Sequence, residues 1–335
     1  WLTVNRIRLP KHNGKMVSQA ISYSKFFFSV LYLCRKQKYD LVFATSSRLI
    51  TAFLGSLIAK RKQAILFLDI RDIFSDTLKD LFKQSNLRVV LPIINYVEKK
   101  TLMVADAVNI VSPGFDQHIR SLTKLKDLNV ITNGIDQEFC NMEPDFSSSI
   151  RKIPEIVYAG NIGDGQGLER IIPEAAKRLE GYAKFKVIGD GGKKNELKKR
   201  LIEQNCKNVE ILVPVTRSEL INIYAHADIL FLHLNDFPSF RKVLPSKIFE
   251  YAATGKPIIG GVSGCARDLL LNEVPGAYVF DPADINNFVG IVKKASQLNS
   301  NYDRTDFIKK YRRENLMDEL VDAILKMKVN LEASS

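Results

Sequence analysis

The sequence predicts an α/β protein made of two Rossmann-like parallel-sheet domains facing a cleft. Three observations carry that expectation. The apolar pattern switches repeatedly between a period of two and a period near 3.6, as alternating strands and helices require. The strand-like runs are apolar throughout, as parallel strands covered on both faces are. Between the two runs, residues 141–154 (NMEPDFSSSIRKIP) combine proline, three serines and charge without periodicity, which reads as a linker.

In the first half, strands are expected at 40–46, 64–69, 107–112 and 128–131, with helices near 19–36, 48–61, 86–103 and 114–121. After the linker, strands follow at 155–159, 184–189, 208–213, 227–232 and 257–260. Helices fall near 167–179, 191–204, 217–225, 246–254 and 283–297, and 303–328 reads as a charged amphipathic helix. The expected division is therefore 1–140, a linker at 141–154, a second domain at 155–302, and a C-terminal helix within 303–335 that packs back on the first domain. A cleft between two such halves is the default ligand site.

The bulk numbers bound the class. At 335 residues with 46% hydrophobic content and a mean hydropathy of −0.07, the chain is long enough for two cored domains and reads as an ordinary soluble protein. Its apolar runs are too short to cross a bilayer: FFFSVLYLC is half a span, and Arg48 interrupts the longer run from Leu41 to Ala59. The net charge of +12 is uneven, with 21 Lys and Arg against 13 Asp and Glu in residues 1–150 and 28 against 24 in the remainder. A basic first half fits an anionic partner or serves solubility. Cys34, Cys140, Cys206 and Cys265 show no metal-ligand spacing and fit a reducing cytosol. His12, His118, His226 and His233 form no ligand cluster, and no Asp-x-Asp pair is present, so no metal is expected.

Three stretches of the second half point to chemistry. In YAGNIGDGQGLERI (158–171), a strand end is followed by Gly160, Gly163, Gly165 and Gly167 and then a helix. Glycines let backbone approach a ligand closely, and a helix N-terminus offers free N–H groups to phosphate. A glycine turn without a ligand has the same look, and the G-x-G-x-x-G spacing of a dinucleotide fold is absent. The second stretch, GDGGKKNEL, repeats strand, glycines and helix, with Gly189, Asp190 and Gly191 at the same sheet edge. In the third, VLPSKIFEYAATGKPIIGG (243–261), a helix starts at Pro245–Ser246 with Ser246 as its cap, and carries Lys247 and Glu250. Glu250 can accept hydrogen bonds from vicinal hydroxyls, while Lys247 and Arg241 offer charge to a phosphate. The rival reading is a local Lys247–Glu250 ion pair on a solvated face. The apolar neighbours Ile248, Phe249, Tyr251, Ala252 and Ala253 leave little such face.

Together with KYDLVFATS, LDIRDIFSDTL, ADAVNIVSPG, NVITNGID and YAHADILFL, these blocks resemble family-4 glycosyltransferases of the GT-B fold over nearly the whole chain. The bacterial surface-polysaccharide branch, such as the L-fucosamine transferases, is the nearest in pattern. The resemblance implies a retaining, metal-independent transferase without a cofactor. It would move a sugar from a nucleoside diphosphate donor, UDP-linked, to a hydroxyl of a saccharide or lipid-linked acceptor. It also implies that Glu250 binds the ribose, that Gly160, Asn161, Gly163, Gln166, Gly189, Asp190 and Gly191 face the diphosphate or sugar, and that Arg241 and Lys247 stand near the phosphates. Arg71 and Asp72 fall where the family places cleft residues of the acceptor domain; a cap or ion pair at a strand end is the other reading of that pair.

The sequence departs from the family pattern at four places. Asn161 and Gln166 stand where many relatives carry Arg and Lys, and Lys242 replaces the acid eight positions before the ribose glutamate. The chain begins at WLTVNRIRLP, so its first domain is expected to lack its first strand. These departures favour the alternative, a truncated or degenerate nucleotide-binding scaffold without catalysis. Lys25, Arg35, Lys36, Lys38, Lys60, Arg61 and Lys62 suit anionic lipid headgroups, which implies a cytoplasmic protein peripheral on the inner face of the plasma membrane. SKFFFSVLYLCRK then lies on that surface or faces the core. Nucleic-acid binding is not expected, because no basic helix stripe or interleaved aromatic surface is present.

Overall fold

The structure, a computed structural model, describes residues 2–10, 16–46, 48–81, 89–123, 128–142 and 149–332. It contains two compact units, Trp1–Ile131 with Leu320–Ser335, and Thr132–Glu319. Residues 143–148 of the expected linker, and 86–88 of an expected helix, lie outside the described residues.

The first unit runs α1 (Met16–Cys34), β1 (Leu41–Thr45), α2 (Leu49–Lys62), β2 (Ile65–Ile70), α3 (Phe74–Leu81), α4 (Leu91–Met103), β3 (Ala107–Ile110), α5 (Asp116–Leu122) and β4 (Leu128–Asn129). Its strands pair in parallel in the order β1-β2-β3-β4. Leu66, Phe67 and Leu68 of β2 are buried on both faces, which is why the run carries no polar alternation. Helix α3 is a difference from expectation: FSDTLKDL supplies only two turns, too few for its period to stand out. Helix α1 divides between the two readings of SKFFFSVLYLCRK. Phe27 stacks on Phe53 of α2, while Phe28, Tyr32 and Leu33 are exposed.

The second unit continues with α6 (Gln137–Cys140), β5 (Glu155–Ala159), α7 (Leu168–Arg178), β6 (Lys184–Ile188), α8 (Lys194–Glu203), β7 (Val209–Leu212), α9 (Arg217–His226) and β8 (Ile229–His233). It continues with α10 (Lys247–Ala253), β9 (Ile258–Gly261), α11 (Cys265–Glu273), β10 (Ala277–Phe280), α12 (Ile285–Lys293), α13 (Thr305–Tyr311) and the start of α14 (Arg313–Glu332), whose residues from Leu320 on belong to the first unit. The six strands are parallel in the order β10-β9-β8-β5-β6-β7. The order reverses between β5 and β8, so the crevice outside their carboxyl ends is where an open α/β sheet takes a ligand. The core beneath is built from Ile156, Tyr158, Ile171, Phe185, Phe231, Phe280 and Phe288.

Two differences from expectation have physical causes. Strand β10 is only AYVF and three of its four residues are half-buried, so it lacks the apolar signature of its neighbours. The tail is two helices, not one, because Arg312 turns extended (φ −58°, ψ 128°). Ile135 bridges it there: its N–H donates to the Tyr311 carbonyl at 2.7 Å and its carbonyl accepts from Arg313 N–H at 2.9 Å. Among the described residues, no helix is long and apolar enough to cross a membrane.

Candidate functional site

The three stretches meet in one cavity of about 500 Å³ at the carboxyl edge of the second sheet. Gly160 and Asn161 line it from the turn after β5, Gly189 and Asp190 from the turn after β6, and Ser246, Lys247 and Glu250 from the start of α10. Pro214, Val215, Leu220 and Tyr224, which the sequence did not single out, complete the wall.

The two glycine turns are bonded to each other. Gly160 N–H donates to the Ile188 carbonyl and Ile162 N–H to the Asp190 carbonyl, both at 2.8 Å. The approach leaves no room for side chains. At Gly189 (φ +152°) an added Cβ would run into the Gly160 carbonyl oxygen, and at Gly160 (φ +140°) it would run into the Cε and Nζ of Lys247. The amides of Asn161 and Gln166 brace the first turn: Asn161 Nδ2 donates to Gln166 Oε1 at 2.8 Å, and Gly163 N–H reaches the same oxygen at 3.3 Å. Two positions where a phosphate-binding cation was missed in the sequence are therefore a neutral staple.

Helix α10 places its polar side chains unequally. Lys247 Nζ donates to Tyr158 Oη at 2.8 Å and lies 4.4 Å from that ring's centroid. Burial pulls its pKa down to about 8, and the nearby Glu250 charge opposes that only in part. Glu250 is half-buried and accepts no hydrogen bond from any described residue, and burial raises its carboxyl above the usual range. Arg217, Lys247 and Arg313 act against that rise, while Asp136 adds to it. Lys247 and Glu250 do not form the i,i+3 ion pair. Ser246 stands at the N-cap but makes no side-chain cap bond, which differs from the expectation.

Beneath the turn, β8 supplies support the sequence did not reveal. His233 is buried; Ala283 N–H donates to its Nε2 at 3.2 Å, so Nδ1 carries the proton and meets the Gln166 carbonyl at 2.6 Å. Desolvation lowers its pKa to about 4, which keeps it neutral. Asn235 follows, its N–H donating to the Gly165 carbonyl at 2.9 Å and its amide to the Asp164 carbonyl. Beside Glu250, Asp136 accepts from both Arg217 and Arg313, which lowers its pKa.

Other expected site residues lie elsewhere. Arg241 does not line the cavity; it makes a two-point pair with Asp236 at 2.9 Å through Nε and Nη2, and Lys242 follows it in the same short 3-10 turn. Gly163, Gln166 and Gly191 shape the turns without lining the cavity. Arg71 and Asp72 belong to the first unit. Arg71 Nε pairs with the buried Asp69 at 2.9 Å, and Asp72 borders a small void with Ser46 and Glu98. Among the described residues, no group of three or more His, Cys, Asp or Glu is placed to hold a metal ion.

A cavity at the carboxyl edge of a Rossmann-like sheet is where open α/β proteins take ligands, and comparison with known proteins gives the family. The profile described as Glycosyl transferases group 1 matches residues 144–314, just over half of the chain, and the chain belongs to that family. It is 29% identical over 143 residues to the protein named colanic acid biosynthesis glycosyl transferase WcaI in Escherichia coli (strain K12), covering 42% of this chain. The match spans about a third of that relative's length (35%). Sucrose-phosphate synthase from Thermosynechococcus elongatus is similar with a TM-score of 0.70 at 16% identity, over 94% of this chain and 79% of that one. Anabaena Alr3699/HepE, solved in complex with UDP, is similar with a TM-score of 0.66 at 16% identity, over 94% and 85%. The fold is thus the GT-B arrangement of two parallel-sheet domains, one of four strands and one of six.

Proposed function

We propose that the second unit binds a nucleoside diphosphate sugar, UDP-linked, and that the protein transfers its sugar, with retention, to a hydroxyl of a lipid-linked saccharide in bacterial surface-polysaccharide synthesis. The observation that carries the binding step is Glu250. A carboxylate withdrawn from water without hydrogen-bond donors is costly, and vicinal ribose hydroxyls are donors of the right kind. Lys247, one turn back on the same cavity wall, offers an ammonium to the diphosphate. In transfer, negative charge builds on the departing diphosphate as the sugar becomes oxocarbenium-like, and a fixed cation beside it lowers that barrier. The leaving phosphate oxygen takes the acceptor's proton, so no side-chain base and no metal enters the scheme. Activity abolished by EDTA and restored by magnesium would contradict the metal-independent part.

The acceptor and membrane parts rest on the family, on the partly exposed α1 and on the basic residues Arg35, Lys36 and Lys38 that follow it. The relative named for colanic acid biosynthesis supports a polysaccharide pathway, and a cytoplasmic, membrane-peripheral site of action suits a lipid-linked acceptor. The staple between Asn161 and Gln166 favours a second reading, nucleotide binding without transfer, because it supplies no charge for the diphosphate.

Thermal-shift titration with UDP, GDP and ADP tests the binding step on the wild type and Glu250→Ala. A nucleotide at a hundred times its Kd stabilises the fold by about 2.7 kcal/mol. Stabilisation by one nucleotide, lost in the variant, is expected; no shift with any of the three would sink the reading. Transfer of labelled sugar from the matching donor separates the transferase from the scaffold.

A further inference from the structure

Lys247 and the turn after β5 are joined through hydroxyls, not through ion pairs. Tyr158 Oη accepts from Lys247 Nζ at 2.8 Å and donates to the Asn161 carbonyl at 2.5 Å. One residue along β5, Ala159 N–H donates to Tyr251 Oη at 3.1 Å. Neighbouring strand residues 158 and 159 thus meet helix residues 247 and 251, which lie one turn apart on α10. The tyrosine rings are fully buried, so the hydroxyls have no water to exchange with. The amine itself is confined by Gly160, which leaves space for it only because no Cβ is there.

From this geometry we infer that Tyr158 is a positioning residue: its hydroxyl fixes the Lys247 ammonium at the cavity wall and ties that position to the Asn161 carbonyl of the glycine turn. The inference rests on the nucleoside diphosphate reading above, and gives the cation of that site its support. A Tyr158 hydroxyl that donates to Asn161 has lone pairs left only for a donor, so it favours the charged amine over the neutral one. Removing it leaves the ammonium over an aromatic face in a dehydrated place, with one hydrogen bond fewer and a weaker hold on its proton.

The titratable groups around the amine are few. Glu250 shares its helix, Tyr158 comes from β5, Tyr224 from α9, Tyr251 from α10 itself, and Asp190 lines the same cavity. Burial raises the Glu250 carboxyl and pushes all three tyrosines upward, away from the mildly alkaline range. Lys247, with its pKa near 8, is the group that changes charge there.

Titration calorimetry of UDP against wild type and Tyr158→Phe, from about pH 6 to about pH 9.5, reads the effect. The wild type should lose affinity on an alkaline limb near pH 8. In Tyr158→Phe the affinity near neutrality should fall about tenfold, and the limb should move about one pH unit lower. A variant that folds and matches the wild type within about twofold at every pH overturns the inference. Lysine Nζ NMR of the unliganded wild type gives a second readout that needs neither nucleotide nor a folded variant. Slow proton exchange at one buried ammonium supports the Tyr158 bond; exchange as fast as at surface lysines overturns it. A wild type that binds no nucleotide sinks the donor reading, and the Nζ spectrum still decides whether Tyr158 holds Lys247.

Discussion

Asp69 is the penultimate residue of β2 in the first unit, and Glu250 lies one turn into α10 beside the carboxyl edge of the second sheet. Both carboxylates are withdrawn from water, yet their surroundings differ. Asp69 is buried and spends both oxygens on the protein, with Arg71 Nε at 2.9 Å and Asn109 Nδ2 at 2.8 Å. Asn109 in turn accepts from Ile131 N–H at 2.8 Å, so the set ties β2, β3 and the end of β4 together. Glu250 is half-buried and spends neither oxygen on a described residue. A buried acid with all its partners serves the fold, whereas one at a cavity wall with none is, on the function proposed above, free to meet a ligand.

Stability should separate the two most clearly. Asp69→Ala removes one member of a buried set and takes one acceptor each from Asn109 Nδ2, which keeps the Ile131 carbonyl, and from Arg71 Nε, a loss of about 3 kcal/mol. Glu250→Ala removes a desolvated charge that nothing pairs, so unliganded stability should change by less than about 1 kcal/mol and can rise. Urea unfolding of the two variants measures the contrast. Equal losses would mean that Glu250 is structural after all.

His233 provides a second contrast, because it is buried neutral beneath the site that Lys247 charges. Its folded pKa of about 4 lies below the ordinary 6.5. Above pH 6.5 both states are neutral and the residue costs nothing. As pH falls towards 4, the unfolded chain takes up a proton that the folded one refuses, so stability falls, by about 3 kcal/mol at the end of that window. Asp136 and Asp236, whose pKa values are lowered from 3.8, lose their contributions only below that window. Glu250 acts with the opposite sign above 4.5, but equally in wild type and variant. Thermal melts against pH should therefore show a shallower acid decline in His233→Gln than in wild type.

Next in size is Gly160→Ala. The added methyl meets Lys247 Nζ, and the residue sits at φ +140°, so the fold should lose about 2 kcal/mol. Nucleotide affinity should fall with it, because the displaced amine no longer reaches the wall. Calorimetry and unfolding on one preparation test both.

How much of this was legible in the sequence follows from how local each feature is. The strands other than β10 are readable because a parallel strand covered on both faces is apolar along its whole length. The glycine turns were readable because glycine marks backbone that must come close. The approach of Lys247 to Gly160 and its bond to Tyr158 were not, since 89 residues separate Tyr158 from Lys247 and the sheet order brings them together. His233 was noticed only as a residue that binds no metal; its role depends on the Gln166 carbonyl, 67 positions away. Arg71 reads from the sequence as a cleft residue or as part of a strand-end ion pair with Asp72 beside it; the partner the structure gives it, Asp69, is hidden inside an apolar strand.

The smallest expected effect concerns the staple. Asn161 is exposed and its amide bond to Gln166 is solvent-accessible, so Asn161→Ala should cost the fold no more than about 0.5 kcal/mol. Its effect on nucleotide affinity should be larger than on stability, because the amide pair braces the turn that lines the cavity while the core beneath does not depend on it. Parallel measurement of unfolding and UDP affinity gives the ratio. A change in stability without a change in affinity would move Asn161 from the side of Glu250 to that of Asp69, as a group that serves the fold alone.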